Sequence, residues 1–236
     1  MTPTEISLGL VVNTALPALK LGNFKLIAFD MDSTLINIEC VDEIADAAGR
    51  KAEVAAITEA TMRGEIADFK ESLRRRVALL KGVTVASMDD VYHQRLKLNP
   101  GAAELVHACK EAGMKVLLVS GGFTFFADRV RDELGIDYIR ANVLDIDGGQ
   151  LTGKLVDQPW GDICGGEEKR KTLLETCSKL GISPQQAIAV GDGANDLPMM
   201  GVAGLSVAYH AKPKVREQAM VAINTGGLDR LLELMA

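Results

Sequence analysis

Short apolar runs recur along the chain at 25–29 (KLIAF), 115–119 (KVLLV), 187–191 (AIAVG) and 204–209 (GLSVAY), with helical patterns or short turns between them. Runs this short and this continuous predict strands buried on both faces, and strands alternating with helices predict a doubly wound parallel sheet. Three of the four runs end in a polar residue followed by a glycine or a turn: Asp30, Ser120 before Gly121-Gly122, and Asp192 before Gly193. In open sheets of this class ligands bind beyond the carboxyl ends of the strands, so these residues are expected to meet at one crevice.

Between the first and second runs the strand pattern stops. Helical periodicity takes over at roughly 39–49, 51–62, 65–81 and 88–97, and Asn99-Pro100-Gly101 closes the stretch. A strand-to-helix connection normally takes a few residues, so this is expected to be an inserted helical cap over the end of the first strand. Residues 141–155 alternate around Asp147-Gly148 and predict a small β-hairpin. The expected organisation is an α/β, Rossmann-like parallel-sheet core (25–38 and 99–236), a helical cap (39–98) and a short lead-in (1–24).

A lone aspartate at a strand end is ordinarily a turn or cap residue. Here "DMDST" places Asp30 and Asp32 one spacer apart at the mouth of a buried strand. "AVGDGANDLPMM" repeats the arrangement downstream with Asp192, Asn195 and Asp196. Carboxylates gathered in one crevice repel one another unless a cation sits among them, and an oxygen-rich site with few protein ligands suits Mg²⁺. "VSGGF" reads either as a glycine loop or as an anion cradle, built from the Ser120 hydroxyl and the backbone N–H groups that open a helix over 123–134. Lys169 shares a helical stripe with Leu173, Cys177 and Leu180. Such a lysine commonly snorkels, but one facing inward near several acids can neutralise phosphate.

In "MRGEIADFKESLRRRV" the residues Met62, Ile66, Phe69, Leu73, Val77 and Leu80 form one apolar stripe. Arg76 shares it, whereas Arg74 and Arg75 do not. An arginine on the apolar face of a cap is a candidate clamp for a carboxylate, since its planar fork binds that group bidentately. Glu39, at a helix start, reads on its own as a complement to the helix dipole.

Composition narrows the partners. The 236 residues carry a net charge of −6 and a pI of about 5.2, which argues against a nucleic-acid footprint and means that an anionic ligand needs local positive charge or a metal. No apolar run is long enough to span a membrane. Cys40, Cys109, Cys164 and Cys177 are widely spaced and make no CxxC pair, so reduced thiols in the cytoplasm are expected.

In order along 25–236, "DMDST", "VSGGF", Lys169 and "GDGAND" resemble the four motifs of the haloacid-dehalogenase-like phosphohydrolases. The cap stretch and Glu39 narrow the resemblance to members that hydrolyse O-phospho-L-serine in the last step of serine synthesis. The resemblance implies Asp30 as nucleophile and Asp32 as general acid and base. It implies Mg²⁺ held by Asp30, Asp192 and the backbone carbonyl of Asp32. Phosphate would lie on Ser120, Gly121 and Lys169, with Asn195 nearby. Glu39 and Arg76 would take the amino and carboxylate groups of serine, with Met62 and Phe69 closing over it. Phe69 falls one position later after Met62 than in the family's usual spacing. The competing expectations are a phosphatase for another small phosphomonoester, or a phosphotransferase passing phosphate from phosphoserine to an alcohol such as homoserine. A phospho-accepting receiver module shares the acids, lysine and Mg²⁺ but lacks both the cap and the D-x-D spacing.

Overall fold

The computed structural model describes residues 3–63, 65–66, 68–161 and 163–235; the side chain of Met62 lies outside what is described, and with it the expected contact of that residue. Among the described residues the strands are β1 (Thr4–Ser7), β2 (Leu10–Val12), β3 (Leu26–Phe29), β4 (Lys115–Phe123), β5 (Tyr138–Asp147), β6 (Gln150–Val156), β7 (Ala187–Gly191), β8 (Leu205–Tyr209) and β9 (Val221–Ile223). They form one sheet in the order β1-β2-β9-β8-β7-β3-β4-β5-β6. From β9 to β5 every neighbouring pair is parallel, and antiparallel pairs occur only toward the two edges. The expected doubly wound α/β sheet is therefore present.

β3 lies between β4 and β7, and all four of its residues are fully buried. Its alternate side chains feed two cores. Ile27 and Phe29 join the larger one with Val116, Leu118, Ile188 and Val190. Leu26 and Ala28 join the other, beneath Leu173 and Cys177. Burying each large side chain of this kind contributes about 1.5–3 kcal/mol, and truncating Phe29 to alanine would cost roughly 3–5 kcal/mol. Phe29 pairs in register with Leu118 and Val190, so Asp30, Ser120 and Asp192 leave the sheet at the same edge.

The stretch between β3 and β4 holds α1 (Cys40–Ala47), α2 (Lys51–Met62), α3 (Phe69–Ala78) and α4 (Val85–Gln94), then α5 (Ala102–Glu111). α3 begins later than its periodicity predicts because the Asp68 side chain caps it, accepting the Lys70 N–H at 3.1 Å. α4 begins earlier because Thr84 does the same for Ser87 at 3.1 Å. Entry and exit of the helical stretch are clipped together. Ile36 bridges Leu98, and the Asn99 amide donates to the carbonyls of Thr34 and Ile36 at 2.8 and 3.0 Å.

The predicted hairpin is β5–β6. It holds the chain after α3 through Gly82 N–H to the Leu151 carbonyl and Leu151 N–H to the Val83 carbonyl, both 2.8 Å. β1, β2 and β9 escape the sequence pattern because β2 and β9 have only three residues each and most of β1 is exposed. The segment read as a lead-in thus adds two strands to the sheet. The remaining helices are α6 (Thr124–Leu134), α7 (Gly166–Leu180), α8 (Leu197–Met200) and α9 (Pro213–Gln218). Among the described residues no helix is long and apolar enough to cross a membrane.

Candidate active site

At the end of β3 the Asp30 carboxylate is almost fully buried, and its Oδ1 accepts the Met31 N–H at 2.7 Å. The same oxygen lies 2.7 Å from Nζ of Lys169. The inner face of α7 carries Lys169, Leu173 and Cys177, all of them buried, and the Lys169 side chain is fully inaccessible. Nζ also donates to Asp196 Oδ1 at 2.7 Å. A buried ammonium is tolerable only with such partners.

Asp196 Oδ2 accepts two backbone N–H groups, from Gly193 at 3.0 Å and Asp192 at 3.2 Å, which shapes the turn after β7. Asp192 in turn accepts the Thr34 hydroxyl at 3.2 Å. One oxygen from each of Asp30, Asp192 and Asp196 lies within 4.8 Å of the others.

The charges do not balance. Three carboxylates face one ammonium. Burial, and next the Asp196 charge, raise the Asp30 pKa well above the ordinary carboxyl value, although Lys169 opposes this. Asp192 is pushed up to about 7 by burial and by Asp196. Burial works against the charge on Lys169, but Asp196 and Asp30 outweigh it and raise its pKa. A cluster that pulls protons onto its acids while its lysine stays charged has room for a cation. Asp196 has committed one oxygen to Lys169 and the other to two amides. The second oxygen of Asp192 carries no hydrogen bond among the described residues, so with the Asp30 carboxylate it is the hard ligand left for a metal.

A second group lies where the chain enters α1. Asp32 is gripped by Cys40: its Oδ2 accepts the Cys40 N–H at 2.8 Å, and its Oδ1 lies 3.2 Å from the thiol sulfur. Burial, and next the Glu39 charge, raise Asp32 to about 7. The exposed Glu39 accepts the Ser33 hydroxyl at 2.7 Å, with Ser33 held in the left-handed region at φ 57°. From α3, half-buried Arg76 feels the Asp42, Glu39 and Asp32 charges, but desolvation still lowers its pKa. Among the described residues its buried Nε has no hydrogen-bond partner, and neither has buried Asp42 Oδ1. Arg74 and Arg75 are exposed, as the helical phase predicts.

The third group is the turn in β4. Pairing with β5 is interrupted between Val119 and Phe123. There the buried Ser120 hydroxyl accepts the Gly122 N–H at 2.8 Å. A Cβ on Gly121 would stand 3.0 Å from Phe69 Cζ, so the α3 aromatic rests directly on this turn. A Cβ on Gly122 would stand 3.1 Å from both Asp32 Oδ1 and Ser120 Oγ, so the acid and the turn adjoin. Half-buried Asn195 sits on the short helical turn Ala194–Asp196, over Gly193 and Gly166.

Residues 24–204 match the family described as haloacid dehalogenase-like hydrolase. This chain belongs to the haloacid dehalogenase-like hydrolases. A phosphoserine phosphatase of Polaromonas sp. (strain JS666) is 83% identical over 235 residues, covering 100% of both chains. Two solved structures, a substrate-bound phosphoserine phosphatase complex and a phospho-aspartyl intermediate analogue of phosphoserine phosphatase, each superpose with a TM-score of 0.82 at 38% identity. Each covers 90% of this chain and 99% of its own.

Five further residues shape the site of this haloacid dehalogenase-like hydrolase beyond those the sequence singled out for roles. Asp196 anchors Lys169. Thr34 bonds Asp192, Cys40 grips Asp32 and Asp42 faces Arg76. Buried Asn142 clips two loops together, donating to the Gly121 carbonyl at 2.8 Å and accepting the Cys164 N–H at 2.9 Å. Asp196 and Thr34 lie inside the quoted motifs. Asn142 had a fainter signal, a polar residue at an inward position of an alternating strand.

Proposed function

We propose that this chain hydrolyses O-phospho-L-serine to L-serine and inorganic phosphate through a covalent aspartyl-phosphate on Asp30. The observation that carries the reading is the asymmetry of the Asp30 carboxylate. One oxygen is fixed by Lys169 and the Met31 N–H, and the other, at the carboxyl edge of the sheet, carries no hydrogen bond among the described residues. The 83% identical phosphoserine phosphatase supports the choice of substrate.

In the first half of the cycle the free Asp30 oxygen attacks phosphorus and the bond from phosphorus to the seryl oxygen breaks. Asp32 gives its proton to that departing oxygen. In the second half Asp32 takes a proton from water, the water oxygen attacks phosphorus, and the bond to Asp30 breaks, releasing phosphate and restoring the carboxylate. A group raised to about 7 is suited to both tasks near neutrality. Lys169, the Ser120 hydroxyl and the Gly121 backbone hold the phosphoryl oxygens, with Asn195 beside them. Asp30, Asp192 and the backbone carbonyl of Asp32 would hold Mg²⁺, which when bound offsets phosphate charge.

The helical stretch over this edge acts as the cap that selects serine. Arg76 takes the α-carboxylate, Glu39 the α-ammonium, and Phe69 covers the turn on which phosphate lies.

Phosphate release from a panel of small phosphomonoesters, with Mg²⁺ and then with chelator, tests the proposal. Phosphoserine is expected to lead the panel by at least tenfold in kcat/KM, and activity to vanish with chelator. A stronger preference for another ester would overturn the substrate assignment, and phosphate appearing on added homoserine rather than free would overturn hydrolysis.

A further inference from the structure

The structure assigns Cys40 as a positioning residue for Asp32, fixing the oxygen that faces the phosphate turn. This rests on the reading of Asp32 as the acid of the reaction above. Cys40 is fully buried and is the first residue of α1. It donates to both oxygens of the Asp32 carboxylate, the N–H to Oδ2 at 2.8 Å and the thiol to Oδ1 at 3.2 Å. Two donors on one residue fix both where the carboxylate stands and how its plane is turned. Among the described residues these are the hydrogen bonds that hold Asp32.

The two bonds differ in what they require of the sequence. Any residue except proline supplies the N–H, which at a helix start has no partner within the helix. The helix N-cap, Glu39, makes no side-chain cap, so Asp32 fills that role from outside. The bond to Oδ1 needs a side-chain donor of this length. Oδ1 is also the oxygen beside the Ser120–Gly122 turn, 3.1 Å from where a Cβ on Gly122 would stand. The thiol therefore orients the oxygen nearest the phosphate site, while the backbone holds the other one. Cys40 directly follows Glu39, so the start of α1 joins the proposed ammonium ligand to the acid.

Steady-state kinetics of Cys40→Ala, Cys40→Val and Cys40→Ser test this, with Asp32→Asn as background and melting temperature as a control. A thiol is a weak donor, so Ala and Val are each expected to lower kcat for phosphoserine by roughly 3–10-fold, the scale of one modest hydrogen bond, with KM within about twofold. Ser, which keeps a donor, is expected to restore kcat to within about twofold. In Asp32→Asn, adding Cys40→Ala is expected to change nothing further, because the group being positioned is gone. Three results would overturn the inference: full kcat in both Ala and Val, a loss in Ser equal to that in Ala, or an undiminished loss in the Asp32→Asn background. If Ala melts early, the closer-sized Val carries the comparison. Full turnover by Asp32→Asn would instead remove the acid assignment itself, so the two failures are distinguishable.

Discussion

Replacing Arg76 by alanine separates selection of the substrate from chemistry on phosphate. Arg76 is in the last turn of α3, half-buried, with its Nε shielded from solvent and without a hydrogen-bond partner among the described residues. A desolvated guanidinium edge without a partner is costly, and a substrate carboxylate would satisfy it. A charge-assisted hydrogen bond is worth about 1.5–3 kcal/mol, so losing one is expected to lower kcat/KM for phosphoserine roughly 10–150-fold. p-Nitrophenyl phosphate has no carboxylate, and its kcat/KM is expected to stay within about twofold. Removing the side chain breaks no hydrogen bond at Nε, so the melting temperature is expected to hold within about 2–4 °C, the shift that 1 kcal/mol produces in a chain of this size. Arg75→Ala is the control. It is exposed and paired with Glu71 at 2.7 Å on the same helix, so both substrates are expected to be turned over normally. Parallel steady-state measurements on the two substrates decide the matter. Equal losses on both would refute the reasoning, since Arg76 would then serve phosphate or the fold.

Three other outcomes are expected. Asp30→Asn should abolish turnover by removing the attacking charge, and beryllium fluoride or labelled substrate should modify Asp30 in the parent protein; label recovered on a different peptide would move the nucleophile elsewhere. Chelator should abolish activity and Mg²⁺ restore it. Mg²⁺ should also raise the melting temperature of the metal-free protein, and Asp192→Asn should remove most of that shift; an unchanged shift in Asp192→Asn would place the metal off this residue. Bonds from Arg230 and then Ser7 lower the Glu233 pKa from 4.5 to about 2, so its contribution is complete above about pH 4.5 and lost as pH falls toward 2. Melting curves of Glu233→Gln should accordingly lie below the parent near neutrality and converge with it near pH 2.

Legibility in the sequence follows from length and from the number of faces buried. β3, β4, β7 and β8 are apolar on both faces and stand out as continuous runs. β1 and β2 are short pieces at one edge, joined through the left-handed turn at Gly9, and β9 beside them has only three residues, so no local pattern marks them. Helix phase was readable where one face is buried, which is why Arg76 separated from Arg74 and Arg75. Helix boundaries depended instead on single caps, Asp68 and Thr84, and moved by several residues from what periodicity alone predicts.

The site shows the same division at finer scale. A motif brings its acids to one edge because strand register does so, and Asp30 and Asp192 follow from that alone. How each acid is used depends on the direction of its side chain, which the motif does not encode. Asp196 lies in the same loop as Asp192, yet it turns under the loop to hold two amides and Lys169, leaving its neighbour to face the crevice. Asp32 lies two residues from Asp30, yet it turns toward α1 and is gripped by Cys40. Nearby aspartates of one motif thus differ in the donors that hold them: Asp196 is committed to the loop and Lys169, and Asp32 is held from α1 with one oxygen beside the phosphate turn. What decides between them is the nearest fixed donor: a buried lysine and loop amides in one case, the start of a helix in the other. Those donors belong to elements far along the chain or past a turn, so they become visible only when the fold has closed.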